Sequence, residues 1–121
     1  MGMTVRSKFW FERDGELVLS DWRVALLEAI EATGSLSAAS ARLNVPYRVA
    51  WGKLKQIEKR LGVALLQSSS GGSAGGSTQL TPEGRDLVAR FRRFEAGLPE
   101  IVEQHFEREF GSVGLALCEK E

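Results

Sequence analysis

The chain has 121 residues, 43% of them apolar, and its 16 basic and 16 acidic side chains cancel. That length supports one core and leaves no room for a second independent one. No run of strongly apolar residues is longer than four, as in Val24–Leu27 and Val63–Leu66, and no secretory signal pattern opens the sequence. A membrane-spanning helix needs about 20, so a cytosolic protein with no membrane partner is expected. Cys118 is the only cysteine and His105 the only histidine, so neither an internal disulfide nor a tetrahedral zinc site is expected.

The zero net charge conceals a partition. Residues 1–34 carry −2, residues 35–62 carry +5, residues 63–81 carry none and residues 82–121 carry −3. The positive stretch holds Arg42, Arg48, Lys53, Lys55, Lys59 and Arg60 against Glu58 alone. Such a stretch attracts a polyanion even on a neutral molecule, although a solvated helix face has the same composition.

Residues 1–19 are read as an N-terminal hairpin segment, its strands lying within 7–19. Phe9-Trp10-Phe11 and Leu17-Val18-Leu19 flank Arg13-Asp14-Gly15-Glu16, and Asp-Gly between apolar runs favours a tight turn. A helix then starts at Ser20 or Asp21, both good caps. Trp22, Leu26 and Ile30, with Leu27 beside them, form its core stripe, and Thr33-Gly34 stops it. A short helix follows, capped by Ser35 or Ser37, with Ala38, Ala39 and Ala41 small enough for another helix to approach. Asn44 suits a left-handed turn, and Pro46 opens a third helix that reaches Leu61.

On that third helix Ala50, Leu54, Ile57 and Leu61 fall within about 40° of one another's mean direction and form the inner face. Arg48, Gly52, Lys55 and Lys59 lie at about 160°, 200°, 140° and 180° from Ala50, directly opposite. A glycine inside a helix costs about 1 kcal/mol relative to alanine. Gly52 between cations lets the backbone approach a partner closely, or is simply a tolerated surface residue.

Val63–Gln67 reads as a strand. Ser68 to Ser77 contains only Ser, Gly and Ala, and Thr78-Gln79-Leu80-Thr81 follows. Taken alone, the stretch resembles a linker. With a strand before it and only a helix beyond it, a hairpin loop, or wing, over 68–77 fits better. Pro82 opens the last helix under a Thr81 cap. Leu87, Phe91, Phe94, Leu98 and Ile101 alternate steps of four and three, an a/d seam that Phe106 continues. Gly97 and Pro99 kink or split this 82–110 segment, and 111–121 is a tail.

The expected fold is therefore mainly α with small β-hairpins: a winged helix-turn-helix over 20–81, with a long C-terminal helix for dimerisation. In that arrangement the third helix enters the major groove, cations neutralise phosphates, and wing amides meet the backbone. Enzyme chemistry finds no support. His105 lies in a Phe-rich seam, Cys118 has no histidine near it in sequence, and no phosphate-binding loop or paired-acid motif is present.

Several segments resemble the N-terminal DNA-binding domain of the molybdate-responsive ModE regulators. They are Gly34-Ser35-Leu36-Ser37, Pro46-Tyr47-Arg48-Val49-Ala50-Trp51, Gly71-Gly72-Ser73-Ala74-Gly75-Gly76 and Leu80-Thr81-Pro82-Glu83-Gly84. Ile57-Glu58 and Leu61-Gly62 are similar to the LysR-type winged helix. The resemblance covers roughly 17–98. It implies a dimeric transcriptional regulator on an inverted repeat of double-stranded DNA. Tyr47 and Arg48 would contact DNA, Ala50 and Trp51 would mainly pack the core, and Ser35 and Ser37 would cap a helix and touch phosphate. The full set of expected DNA contacts is Ser35, Ser37, Pro46, Tyr47, Arg48, Gly52, Lys53, Lys55, Lys59, Ser73 and Ser77. The expected dimer seam is Leu87, Phe91, Phe94, Leu98, Ile101 and Phe106.

Three departures qualify the resemblance. With 40 residues after Thr81, the family's molybdate-binding domains are not expected in this chain, so neither a cofactor nor a small-molecule ligand is implied. Ser68 and Ser73 stand where the family tends to place cations. Pro46 replaces a common serine cap. The alternative is a winged helix whose basic stripe meets an acidic protein surface rather than DNA.

Overall fold

Side-chain oxygens open three of the helices. In the computed structural model, which describes residues 2–69 and 77–111, Ser20 caps α1 (Asp21–Thr33) by accepting the Arg23 N–H. Ser35 caps α2 (Leu36–Arg42) through the Ala38 N–H at 3.0 Å. Thr81 caps α4 (Pro82–Glu95) through the Gly84 N–H at 3.0 Å. Each supplies an acceptor to an amide that no helix carbonyl can reach. Between α2 and α4 lies α3 (Tyr47–Leu61), which starts one residue later than expected. Pro46 is its cap in extended backbone and makes no side-chain bond. Asn44, at φ 57°, makes the turn between α2 and α3.

Residues Phe9–Phe91 form one compact unit. Its first hairpin pairs β1 (Trp10–Arg13) with β2 (Glu16–Ser20) around Asp14 and Gly15, at φ 53° and 80°. Positive φ at both turn residues gives the twist a two-residue hairpin needs. The register skips Val18: Phe11 faces Leu19 and Glu12 faces Leu17. This bulge breaks the two-residue alternation, so the neighbours Val18 and Leu19 both reach the core.

The second hairpin pairs β3 (Leu66–Ser69) with β4 (Ser77–Leu80), Leu66 opposite Leu80 and Ser69 opposite Ser77. It is the wing, and its first strand begins three residues later than the expected Val63. Positions 70–76, and with them Ser73, lie outside the described residues, as do the tail after 111 and Cys118.

The core lies where α1, α2, α3, β2 and the wing base meet. Leu26, Leu27 and Ile30 of α1 pack with Ala50, Leu54 and Ile57 of α3 and with Leu65 and Leu80. Two expectations for this core are corrected. Trp22 is not in the stripe of α1. The buried arc centres near Arg23 and Ile30, about 100° from Trp22, whose indole faces outward. Phe91 is not free for a dimer seam. It is 1% exposed and packs on Phe11, ring centroids 5.1 Å apart. Leu87 likewise leans on this core.

The second unit holds residues 2–8 and the chain from Arg92 on. Gly97, at φ 82°, separates the end of α4 from α5 (Leu98–Phe106), which runs into a π-helical turn over Glu107–Gly111. Phe106 stacks on Phe110 there, centroids 5.5 Å apart. No residue of α5 is buried; Ile101 is 48% exposed, as is Phe94 of α4.

Candidate nucleic-acid interface

The inner face of α3 fixes what its outer face shows. Arg23 of α1 is buried, and its guanidinium donates to the Lys53 carbonyl at 3.3 Å and to Gln56 Oε1 at 3.2 Å. These bonds tie α3 to α1 in rotation as well as in distance. Burial, and after it the nearby Arg60 charge, hold the Arg23 guanidinium below the ordinary arginine range. Nothing in the apolar pattern marked this residue. The signal was a lone cation inside the α1 stripe.

With α3 so oriented, Arg48, Lys55 and Lys59 are exposed on the side away from the core, with half-exposed Gly52 among them. Tyr47 and Pro46 are exposed at its start. Lys53 does not join them. It is half-buried, about 130° round the helix from the centre of the stripe. Arg60 also turns away, donating to the Leu17 carbonyl and sitting 3.6 Å from Glu16.

The single acid of the basic stretch is shared. Glu58 Oε2 accepts the N–H groups of Leu65 at 2.8 Å and Leu66 at 3.1 Å, while Oε1 meets Lys55 Nζ at 3.3 Å. It thus serves the start of the wing and one cation of the stripe. With Arg48 and Lys59 the outward face keeps a net positive charge, the polarity a phosphate backbone requires.

Trp51 corrects what the resemblance implied. It is 49% exposed, not packed in the core. It lies about 100° from Ala50, off the inner face, so the helical angle alone was sufficient to find it. Together with Tyr47, Arg48 and Gly52 it lines one open depression, and Lys55 Nζ stands 5.5 Å from its ring centroid.

The wing is fastened beside this helix pair. The Thr78 N–H donates to the Gly34 carbonyl at 3.0 Å, in the turn before α2. Glu31 of α1 accepts the Leu80 N–H at 3.3 Å and pairs with Arg85. Arg85 first, and the Leu80 amide after it, hold the Glu31 carboxyl below the usual carboxylate range. Ser77 shares a 2.7 Å hydroxyl bond with Ser69 at the end of the wing strands away from the core. Ser35 is half-buried in its capping role, and Ser37 is exposed two residues on.

Residues 23–85 match the model of the bacterial regulatory helix-turn-helix proteins of the lysR family. The chain belongs to that family. Among the relatives of this lysR-family chain, the molybdenum-pterin-binding protein MopB of Rhodobacter capsulatus is 39% identical over 80 residues, covering 66% of this chain and 30% of MopB. The molybdenum transport protein ModE of Azotobacter vinelandii is 35% identical over 97 residues, covering 80% of this chain and 36% of ModE. The chain thus spans about a third of the length of these relatives. Two solved structures share its fold. The BenM DNA-binding domain on benA site 1 DNA has a TM-score of 0.55 at 17% identity, covering 72% of this chain and 95% of that one. Full-length CbnR with its target DNA has a TM-score of 0.56 at 21% identity, covering 74% and 29%. Among the described residues no helix is long and apolar enough to cross a membrane.

Proposed function

We propose that this lysR-family protein regulates transcription from the cytoplasm as a homodimer, each α3 reading one half of an inverted repeat in double-stranded DNA. The DNA-binding and regulatory part of this reading rests on family membership and on the winged helix-turn-helix fold. The observation that carries it furthest is the outward stripe of Arg48, Lys55 and Lys59 on α3, opposite its core face. Cations supply affinity through phosphate contacts, and side chains at the start of a recognition helix supply base preference.

In this reading Tyr47 and Arg48 face base edges. Gly52 admits the helix deeply into the groove. Lys55, Lys59, Ser35, Ser37 and Ser77 face phosphates, with Pro46 at the helix entrance. Lys53 drops out, because it lies off the stripe. The dimer seam is formed by Phe94, Leu98, Ile101 and Phe106. The exposure of Phe94 and Ile101 supports it, since large apolar groups left at a surface favour a partner. Two recognition helices then meet successive major grooves about 34 Å apart. It is a binding protein and not an enzyme, and neither cofactor nor small-molecule ligand enters this reading.

The test is recovery of sheared genomic DNA by the purified protein at about 150 mM salt, followed by sequencing. Enrichment of a few fragments sharing an inverted repeat is expected. Uniform weak recovery overturns the reading and turns attention to an acidic protein partner.

A further inference from the structure

We propose that the cleft formed by Tyr47 and Trp51 on α3 is a seat for the C5-methyl group of a thymine, beside a guanine taken by Arg48. The inference rests on the proposed DNA reading and names the bases that reading requires.

Tyr47 and Trp51 are one helical turn apart and 51% and 49% exposed. Two large aromatic side chains so exposed beside a stripe of cations are unusual. They line one depression with Arg48 and Gly52. A Cβ added at Gly52 would meet nothing within 4 Å. No packing inside the chain calls for glycine here, although glycine is unfavourable inside a helix. Its missing side chain keeps the depression open to an outside group.

The rest of the face narrows what that group is. Adenine is read by a free side-chain amide, and cytosine by a carboxylate. Gln56 has its carbonyl oxygen taken by Arg23, and Glu58 has both oxygens engaged. Arg48 suits guanine, which offers two acceptors to a guanidinium. An apolar cleft in the major groove suits the thymine methyl, the one apolar group on a base edge there. Lys55 and Lys59 on the same side of α3 match the phosphates on either side of such a base. That charge pattern favours DNA over an apolar side chain of another protein.

The test uses the full chain and a half-site taken from the selected genomic fragments. Each thymine in turn is replaced by deoxyuridine, which removes only the methyl group, and affinity is read by fluorescence anisotropy. One thymine next to the guanine sensed by Arg48 should lose about fourfold on replacement, the weight of one buried methyl. Trp51→Ala should bind thymine and uracil alike at that position and keep the guanine preference. If Trp51→Ala does not fold, Trp51→Phe and the uracil series on the unaltered protein still decide. 5-Methylcytosine carries the same methyl. At that position it should bind more tightly than cytosine, and thymine more tightly than uracil. Indifference to every uracil, with guanine still sensed, overturns the methyl seat and leaves the DNA reading standing. Failure to select any site overturns both.

Discussion

Glu58 and Leu65 are joined by a 2.8 Å hydrogen bond from the Leu65 N–H to the Glu58 carboxylate, which links the last turn of α3 to the start of the wing. One carboxylate accepts from two backbone amides and pairs with Lys55 as well. Glu58→Ala should therefore cost about 2 kcal/mol, because it removes the acceptor that both amides share. Urea unfolding measures this. A loss below about 0.5 kcal/mol, the usual range for a surface change, would remove the linking role from Glu58.

Gly84 meets the wing from the other side. A Cβ there would lie 2.5 Å from the Leu65 carbonyl oxygen, which is backbone and has little room to move. Gly84→Ala should destabilise the protein by about 1–3 kcal/mol despite alanine's better helix propensity. A thermal melt unchanged or raised by the substitution would show that α4 can shift freely.

Phe91 and Phe94 stand three residues apart on α4, one buried and one exposed. Phe91→Ala should cost about 3–5 kcal/mol by opening a cavity against Phe11. Phe94→Glu combined with Ile101→Glu should leave the fold intact and yield monomers in light scattering. A dimer that survives the double change places the interface elsewhere.

Arg48 and Lys59 share the stripe but not the expected task. Arg48→Ala should cost about 1–3 kcal/mol on a selected site and flatten base preference at one position. Lys59→Ala should weaken all sequences alike and lower the salt slope by about one. Equal losses on specific and random duplexes for Arg48→Ala would take base reading away from it.

Glu31 titrates below the ordinary carboxylate range in the folded chain, because Arg85 and the Leu80 amide favour its charged form. Its contribution is fully present above the unfolded value of about 4 and is lost as pH falls through the lowered folded value. The Leu80 amide resonance should move with that titration, below the ordinary glutamate range, and should not move in Glu31→Gln. Movement centred at or above the value of a free glutamate would dissociate Leu80 from this carboxylate.

The order of elements was open to reading from the chain because each rests on local chemistry. Asp14-Gly15 makes a turn by backbone freedom. Ser20, Ser35 and Thr81 cap helices with oxygens of their own. Ala50, Leu54 and Ile57 repeat at the helical period. The stripe of Arg48, Lys55 and Lys59 follows from the same period. Trp51 was within reach of that arithmetic too, and went astray only when its place was taken from the family resemblance.

Other features depend on residues far apart in the chain, and no local period reports them. The anchoring of Glu58 and Arg60 depends on backbone groups of the wing and the first hairpin. The burial of Phe91 depends on Phe11, 80 positions earlier in the chain. Arg23 becomes a tie to α3 only when α1 and α3 cross. Sequence by itself determined which segments coil, turn and carry charge, since those are decided within one or two helical turns. Tertiary structure alone decided which charged and aromatic side chains remain outside, because burial is settled by whatever long-range packing brings against them.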